Sequence, residues 1–143
     1  MPKPCVILLT LIACVFSLPA QQNQAHAQAS TTSSYTVPPE AAHQPNPIKP
    51  TRKSIAQGKK HYLADCAICH GDNGDGKGEI AVSTKLEIGD FRNPVTLKDK
   101  TDGDLFYIIK NGHGQMLPEG NANPTELWNT VNYIRSLAGK TAQ

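Results

Sequence analysis

The sequence predicts an all-α fold, three main helices joined by long loops. Three observations carry that expectation. Apolar residues return every three to four positions in three segments, each bounded by its own start and stop signals. Nothing between Gly71 and Asp99 sustains the two-residue alternation of a strand. The 143 residues include 11 glycines and 11 prolines, many of them grouped between the helical segments. With 38% apolar and 6% aromatic residues, the core these helices can build alone is small. Roughly 30 glycine-rich and polar residues separate the first two helices, more than a compact domain holds without a reason. The pattern calls for a large apolar object for the loops to wrap. Charge gives no alternative: 14 Lys and Arg oppose 12 Asp and Glu with the signs interleaved, so no basic block awaits a nucleic acid.

Residues 1–29 read as a signal peptide: Lys3, an apolar run from Cys5 to Leu18, then Ala25-His26-Ala27-Gln28-Ala29. The run of about 14 residues is shorter than the roughly 18 a membrane span needs. Cleavage after Ala27 or Ala29 gives a soluble product. Cleavage before Cys14 is the alternative, because Leu11-Ile12-Ala13-Cys14 resembles a lipoprotein box and would leave a lipidated cysteine as a membrane tether. Both outcomes place the mature chain outside the cytoplasmic membrane, in the periplasm. Residues 30–52, with Pro38, Pro39, Pro45, Pro47 and Pro50 among Ser, Thr and Gln, bury too little to order themselves and are expected to be a disordered linker. Residues 53–139 form the folded domain, and 140–143 a tail.

The first helix takes Ser54 as N-cap and runs through Ile55, Gly58 and Tyr62 to Cys66, with His61 on a polar, solvated face. Thr101 caps the second, Asp104 stands at its third position, Leu105, Phe106, Ile108 and Ile109 form its apolar face, and Gly112 stops it. The third has Asn123 as N-cap, Pro124 at the first helical position and Glu126 in the first turn; Leu127, Trp128, Val131, Ile134 and Leu137 follow, and Gly139 closes it.

Cys66-Ala67-Ile68-Cys69-His70 is C-x-x-C-H, the attachment signature of c-type haem. Two thiols three residues apart reach the two vinyl groups of one haem as thioethers, and the next residue offers an imidazole to the iron. A zinc knuckle would need further thiolates or imidazoles, and a thioredoxin-like dithiol a βαβ context; the remaining cysteines, Cys5 and Cys14, belong to the leader. The sixth iron ligand is expected downstream. Met116, the only methionine besides Met1, sits in Gly112-His113-Gly114-Gln115-Met116-Leu117-Pro118, irregular chain that allows close approach to a cofactor. His113 is the competing donor and would lower the potential relative to thioether ligation. Gly71-Asp72-Asn73-Gly74-Asp75-Gly76-Lys77 imitates a phosphate-binding loop, but Gly78 stands where a hydroxyl is required. A calcium loop is broken by Gly74.

From Lys53 to Ala138 the chain resembles the class I cytochromes c. Gly58 and Tyr62 stand at the spacings that family uses ahead of its haem motif, and Val131-Asn132-Tyr133-Ile134-Arg135-Ser136-Leu137 is similar to its C-terminal helix, where an aromatic such as Tyr133 packs over the glycine. Gly71, Gly74, Gly76 and Gly78 resemble the glycine-rich turn of bacterial members. Two departures stand out: Leu117 separates Met116 from Pro118, and no proline lies between Thr51 and Asn93 to lend a carbonyl to His70, so the acceptor for its Nδ1 hydrogen is unassigned. The resemblance implies a class I cytochrome c fold around one covalent haem c. The expected function is a periplasmic one-electron carrier with His70 and Met116 as axial ligands, no catalytic residues and redox proteins as partners. Two alternatives stay open: a tethered electron-accepting subunit of a periplasmic dehydrogenase or terminal oxidase complex, and a haem-based sensor of small ligands. Arg92 and Trp128 are candidates for propionate contacts, and Lys98, Lys100 and Lys110 for a docking face.

Overall fold

A computed structural model describes residues 36–140. The expected signal peptide, Cys14 and residues 141–143 lie outside the described residues. The element order is α1 (Pro39–Ala42), α2 (Arg52–His61), a π-helical turn (Tyr62–Cys66), α3 (Ala67–His70), α4 (Glu79–Thr84), α5 (Asp102–Asn111) and α6 (Pro124–Leu137). Among the described residues there is no strand, only one isolated antiparallel bridge between His113 and Met116. The short α4 falls within the long loop, which was expected to be irregular; it closes on Lys85 in the left-handed region at φ 56°.

Each long helix begins with a reciprocal capping box, which satisfies amide donors that would otherwise lack partners. In α5, Thr101 Oγ1 accepts from the Asp104 amide at 3.0 Å while the Asp104 carboxylate accepts from the Thr101 amide at 2.7 Å. In α6, Asn123 Oδ1 accepts from the Thr125 amide and Glu126 Oε2 from the Asn123 amide. The start of α2 differs from expectation. Thr51, rather than Ser54, is the N-cap; Ser54 occupies the third position, and its buried hydroxyl accepts from the Thr51 amide and donates to the Lys49 carbonyl. Either hydroxyl residue can cap, and the tertiary path of the chain through Lys49 selects the earlier one.

The core is organised by the crossing of α2 and α6. At Gly58 the two backbones meet: a Cβ there would stand 1.9 Å from the Asn129 carbonyl oxygen. It is the backbone of Asn129 and Thr130, rather than the Tyr133 ring, that occupies the space over Gly58. Tyr133 packs one turn further on, its ring 5.1 Å from that of Tyr62 and tilted by 60°. Leu127, Trp128, Val131, Ile134 and Leu137 of α6 join Leu105, Phe106 and Ile109 of α5 in one buried cluster, with the Phe106 and Trp128 rings stacked at 4.1 Å. Arg135 fastens the end of α6 to the entry of α5 by donating to the Asp102 carboxylate and to the carbonyls of Leu97 and Lys100.

Residues 36–52 do not behave as the expected linker. Asn46 Nδ2 donates to Asn132 Oδ1 at 3.0 Å and to the Trp128 carbonyl at 3.4 Å, Asn132 Nδ2 donates to the Ile48 carbonyl at 2.9 Å, and Thr101 Oγ1 donates to the Ala42 carbonyl at 2.6 Å. Hydropathy fails to reveal this docking because polar groups make it: the arm supplies partners for Asn132, which is only 4% exposed, and its prolines reduce the entropy lost on ordering.

Gly58→Ala is expected to destabilise the holoprotein by about 3 kcal/mol or more, because neither helix backbone can retreat from the added methyl; chemical denaturation checks this. Asn46→Ala removes the partner of a buried amide and should cost about 1–3 kcal/mol, read as a lower melting temperature. An unchanged melt would mean that the arm contributes no stability.

Candidate functional site

The C-x-x-C-H residues lie where the first long helix changes pitch. After His61 the helix widens into a π turn, marked by the Ala67 amide donating to the Tyr62 carbonyl, and then tightens into α3, which carries Cys69 and His70. Two interactions hold this segment. The buried Tyr62 hydroxyl donates to the Gly71 carbonyl at 2.8 Å. The glycine-rich loop folds back over α3, so that the Gly76 amide donates to the His70 carbonyl and the Gly78 amide to the Cys69 carbonyl, while Asp75 caps the Lys77 amide. These amides are spent on the chain itself, which disposes of the phosphate-loop reading in physical terms.

Cys66 and Cys69 are both half-buried and are not joined to each other by a disulfide. Burial, reinforced by the carboxylates of Glu119 and Asp65, pushes the Cys66 thiol up to about 12. Such a buried thiol is unlike the exposed, low-pKa cysteine of a redox-active site. Burial shifts His70 the other way, below its usual value, so its imidazole is neutral and keeps a lone pair for a metal. The acceptor that the sequence left unassigned is still missing: His70 Nδ1 is buried without a hydrogen-bond partner. In its place the ring is held by Phe91, stacked at 4.9 Å and 20°. Phe91 is in turn anchored through its amide, which donates to the Gly74 carbonyl at 2.7 Å. Sequence reasoning missed Phe91, because a lone aromatic in an irregular loop carries no periodic signal.

Met116 sits on a tight turn beyond α5. The chain leaves the helix at Gly112 with φ 79°, where a Cβ would stand 2.6 Å from the Met116 carbonyl oxygen, and His113 and Met116 exchange both backbone hydrogen bonds across the turn. The two candidate sixth ligands part company here. The Met116 side chain is partly buried and packs on the core cluster that Cys66 also touches, whereas His113 is exposed. Glu119, three residues after Met116, has a carboxylate oxygen within 4.8 Å of ligand atoms of His61 and Asp65, so the Met116 loop lies beside the cysteine segment. Two thiols one helical turn apart, a neutral imidazole and a thioether facing the same core suit a covalent haem of the c type.

Other residues fall differently. His61 is not solvated: its side chain is 14% exposed and Nδ1 lies 3.2 Å from Asp65 Oδ2. Arg92 is engaged by Asp90, with Nη2 to Oδ2 at 2.8 Å, and this pairing holds the Asp90 carboxyl below its usual range. Trp128 is stacked in the core at 3% exposure. Lys98, Lys100 and Lys110 are exposed on the surface, Lys98 beside Asp99. No helix among the described residues is long and apolar enough to cross a membrane.

Known proteins give the site its context. Two proteins named "Cbb3-type cytochrome c oxidase subunit FixP", from Bradyrhizobium sp. (strain ORS 278) and Bradyrhizobium diazoefficiens, are 30% and 29% identical over 94 residues, 63% of this chain. The match spans only 30% of the length of each of these relatives. Among solved structures, the chain is similar to the "KustC0563 c-type cytochrome" (TM-score 0.50, 24% identity, 57% of this chain and 96% of that one). It is also similar to a chain of the "Kuenenia stuttgartiensis reducing HAO-like protein complex Kustc0457/Kustc0458" (TM-score 0.55, 26% identity, 64% and 47%). Residues 53–134, more than half of the chain, match the family described as "Cytochrome C oxidase, cbb3-type, subunit III". The chain therefore belongs to that family, and is a class I c-type cytochrome with covalently bound haem c as its cofactor and electron transfer as its chemistry.

Proposed function

We propose that haem c is bound through thioethers at Cys66 and Cys69, with His70 and Met116 as axial ligands of the iron, and that the chain is a periplasmic one-electron carrier. The observation that carries this reading is the contrast within one turn: Met116 faces the core shared with Cys66, while His113 faces out. When bound, the haem supplies an iron that takes up and gives back a single electron. The protein's own residues do the rest. Burial keeps His70 neutral, Phe91 fixes the plane of its ring, and the hydrogen-bonded turn from His113 to Met116 limits how far the thioether can move. A sixth position filled by the chain leaves none for a substrate, which supports a carrier without catalytic residues. Ile68, between the two cysteines, and Leu117, beside Met116, are 51% and 81% exposed. They offer apolar surface to the redox proteins we take as partners, in the small, transient contacts such encounters use.

A second reading is favoured by the relatives. Proteins named as oxidase subunits match this chain over only part of their length, so the domain is also suited to serve as the electron-accepting module of a larger periplasmic or membrane assembly, tethered through a lipidated Cys14. Palmitate labelling that is lost in Cys14→Ser supports the tether; labelling absent from the wild type supports the free carrier.

The ligand assignment is tested by spectroscopy on the purified holoprotein. The wild type is expected to show the weak near-infrared band of methionine-ligated ferric haem and to resist carbon monoxide in the ferrous form at neutral pH. Met116→Ala should lose the band and bind carbon monoxide, while His113→Ala keeps wild-type behaviour. The reverse result would transfer the ligand role to His113, and carbon monoxide binding by the wild type would favour a sensor.

A further inference from the structure

Three donors outside the haem ligand set converge beside it. His61 at the end of α2, Asp65 in the π-helical turn and Glu119 in the loop after Met116 each bring a ligand atom to within 4.8 Å of the others. His61 is the informative member. Its Nδ1 lies 3.2 Å from Asp65 Oδ2 in a side chain that is only 14% exposed, so a ring nitrogen and a carboxylate oxygen already stand side by side. Among the described residues neither Asp65 nor Glu119 forms an ion pair with Lys or Arg.

We propose that His61, Asp65 and Glu119 bind a divalent transition ion of the zinc class. One imidazole nitrogen with two carboxylate oxygens is a borderline donor set; calcium and magnesium select all-oxygen shells instead. Ligand bonds of about 2.0–2.1 Å in tetrahedral geometry set neighbouring donors about 3.3 Å apart, close to the existing 3.2 Å between His61 and Asp65. Glu119 completes the set by a side-chain rotation on its loop, and the fourth position is left to water or to a side chain of a docked protein. The ion ties two separate segments together, since Asp65 adjoins Cys66 and Glu119 lies three residues beyond Met116. It acts as a clamp that closes the Met116 loop onto the helix of the haem motif.

The test is a calorimetric titration of the purified holoprotein with Zn2+ alone at neutral pH, with the visible spectrum recorded alongside. One ion per chain is expected to bind. His61→Ala and Glu119→Gln should each weaken binding at least tenfold with the haem spectrum unchanged, and His113→Ala should leave binding as it is. Glu119→Gln stands on a loop and keeps the fold even where His61→Ala does not. Failure of the wild type to bind one ion, or wild-type affinity in both His61→Ala and Glu119→Gln, overturns the site. The ligand assignment of the haem stands apart from either result, because the spectrum reports it.

Discussion

The close passage of α2 over α6 at Gly58 is the contact on which the other features depend. With no side chain at that point, the helix backbones approach until a methyl group would overlap the Asn129 carbonyl. That depth of contact sets Tyr62 against Tyr133 and leaves the Tyr62 hydroxyl pointing at the Gly71 carbonyl. Because Tyr62 opens the π turn and Gly71 follows His70, the two ends of the C-x-x-C-H segment are fixed to the same crossing. A contact between helices remote from each other in sequence thus determines how the thiols and the imidazole are presented.

The loops follow a different logic from the helices. The connection from Gly71 to Lys100 is ordered by backbone and short side-chain hydrogen bonds: Phe91 to Gly74, Gly76 to His70, Thr96 Oγ1 to the Asp90 carbonyl. Few large side chains are buried along it, Leu97 being the main one. Such a segment is held locally and draws little on the hydrophobic effect, which suits a domain whose cofactor contributes much of its apolar interior. The amino-terminal arm is the polar counterpart, docked by Asn46 and Asn132 onto a helix that is buried from Leu127 to Ile134. Without the arm, α6 would expose amide groups already turned toward the protein.

Legibility divided along physical lines. The second and third long helices were readable almost to the residue, since Thr101 with Asp104 and Asn123 with Pro124 and Glu126 are local signals acting within four residues. The start of α2 was displaced by three residues because Thr51 and Ser54 are equally competent hydroxyls, and the contact of Ser54 with Lys49 decides between them. The docking of the arm and the ring of Phe91 over His70 were invisible. Each depends on partners far away in sequence, and neither is made by a periodic pattern. His61 was misplaced for the same reason: a polar residue on a polar helix face looks solvated until Asp65 and the loop of Glu119 are brought beside it.

By itself the sequence determined the fold class, the three long helices and the cofactor, because each is written in short-range chemistry: capping residues, 3.6-residue periodicity and two thiols spaced for one haem. The tertiary structure decided what depends on distance between segments. It separated Met116 from His113 by facing one inward and the other outward, gave His70 an aromatic neighbour where a hydrogen-bond acceptor was sought, and gathered three unrelated donors beside Cys66. Spacing along a chain specifies which groups lie on one turn; only the crossing of helices and the return of loops specify which groups meet.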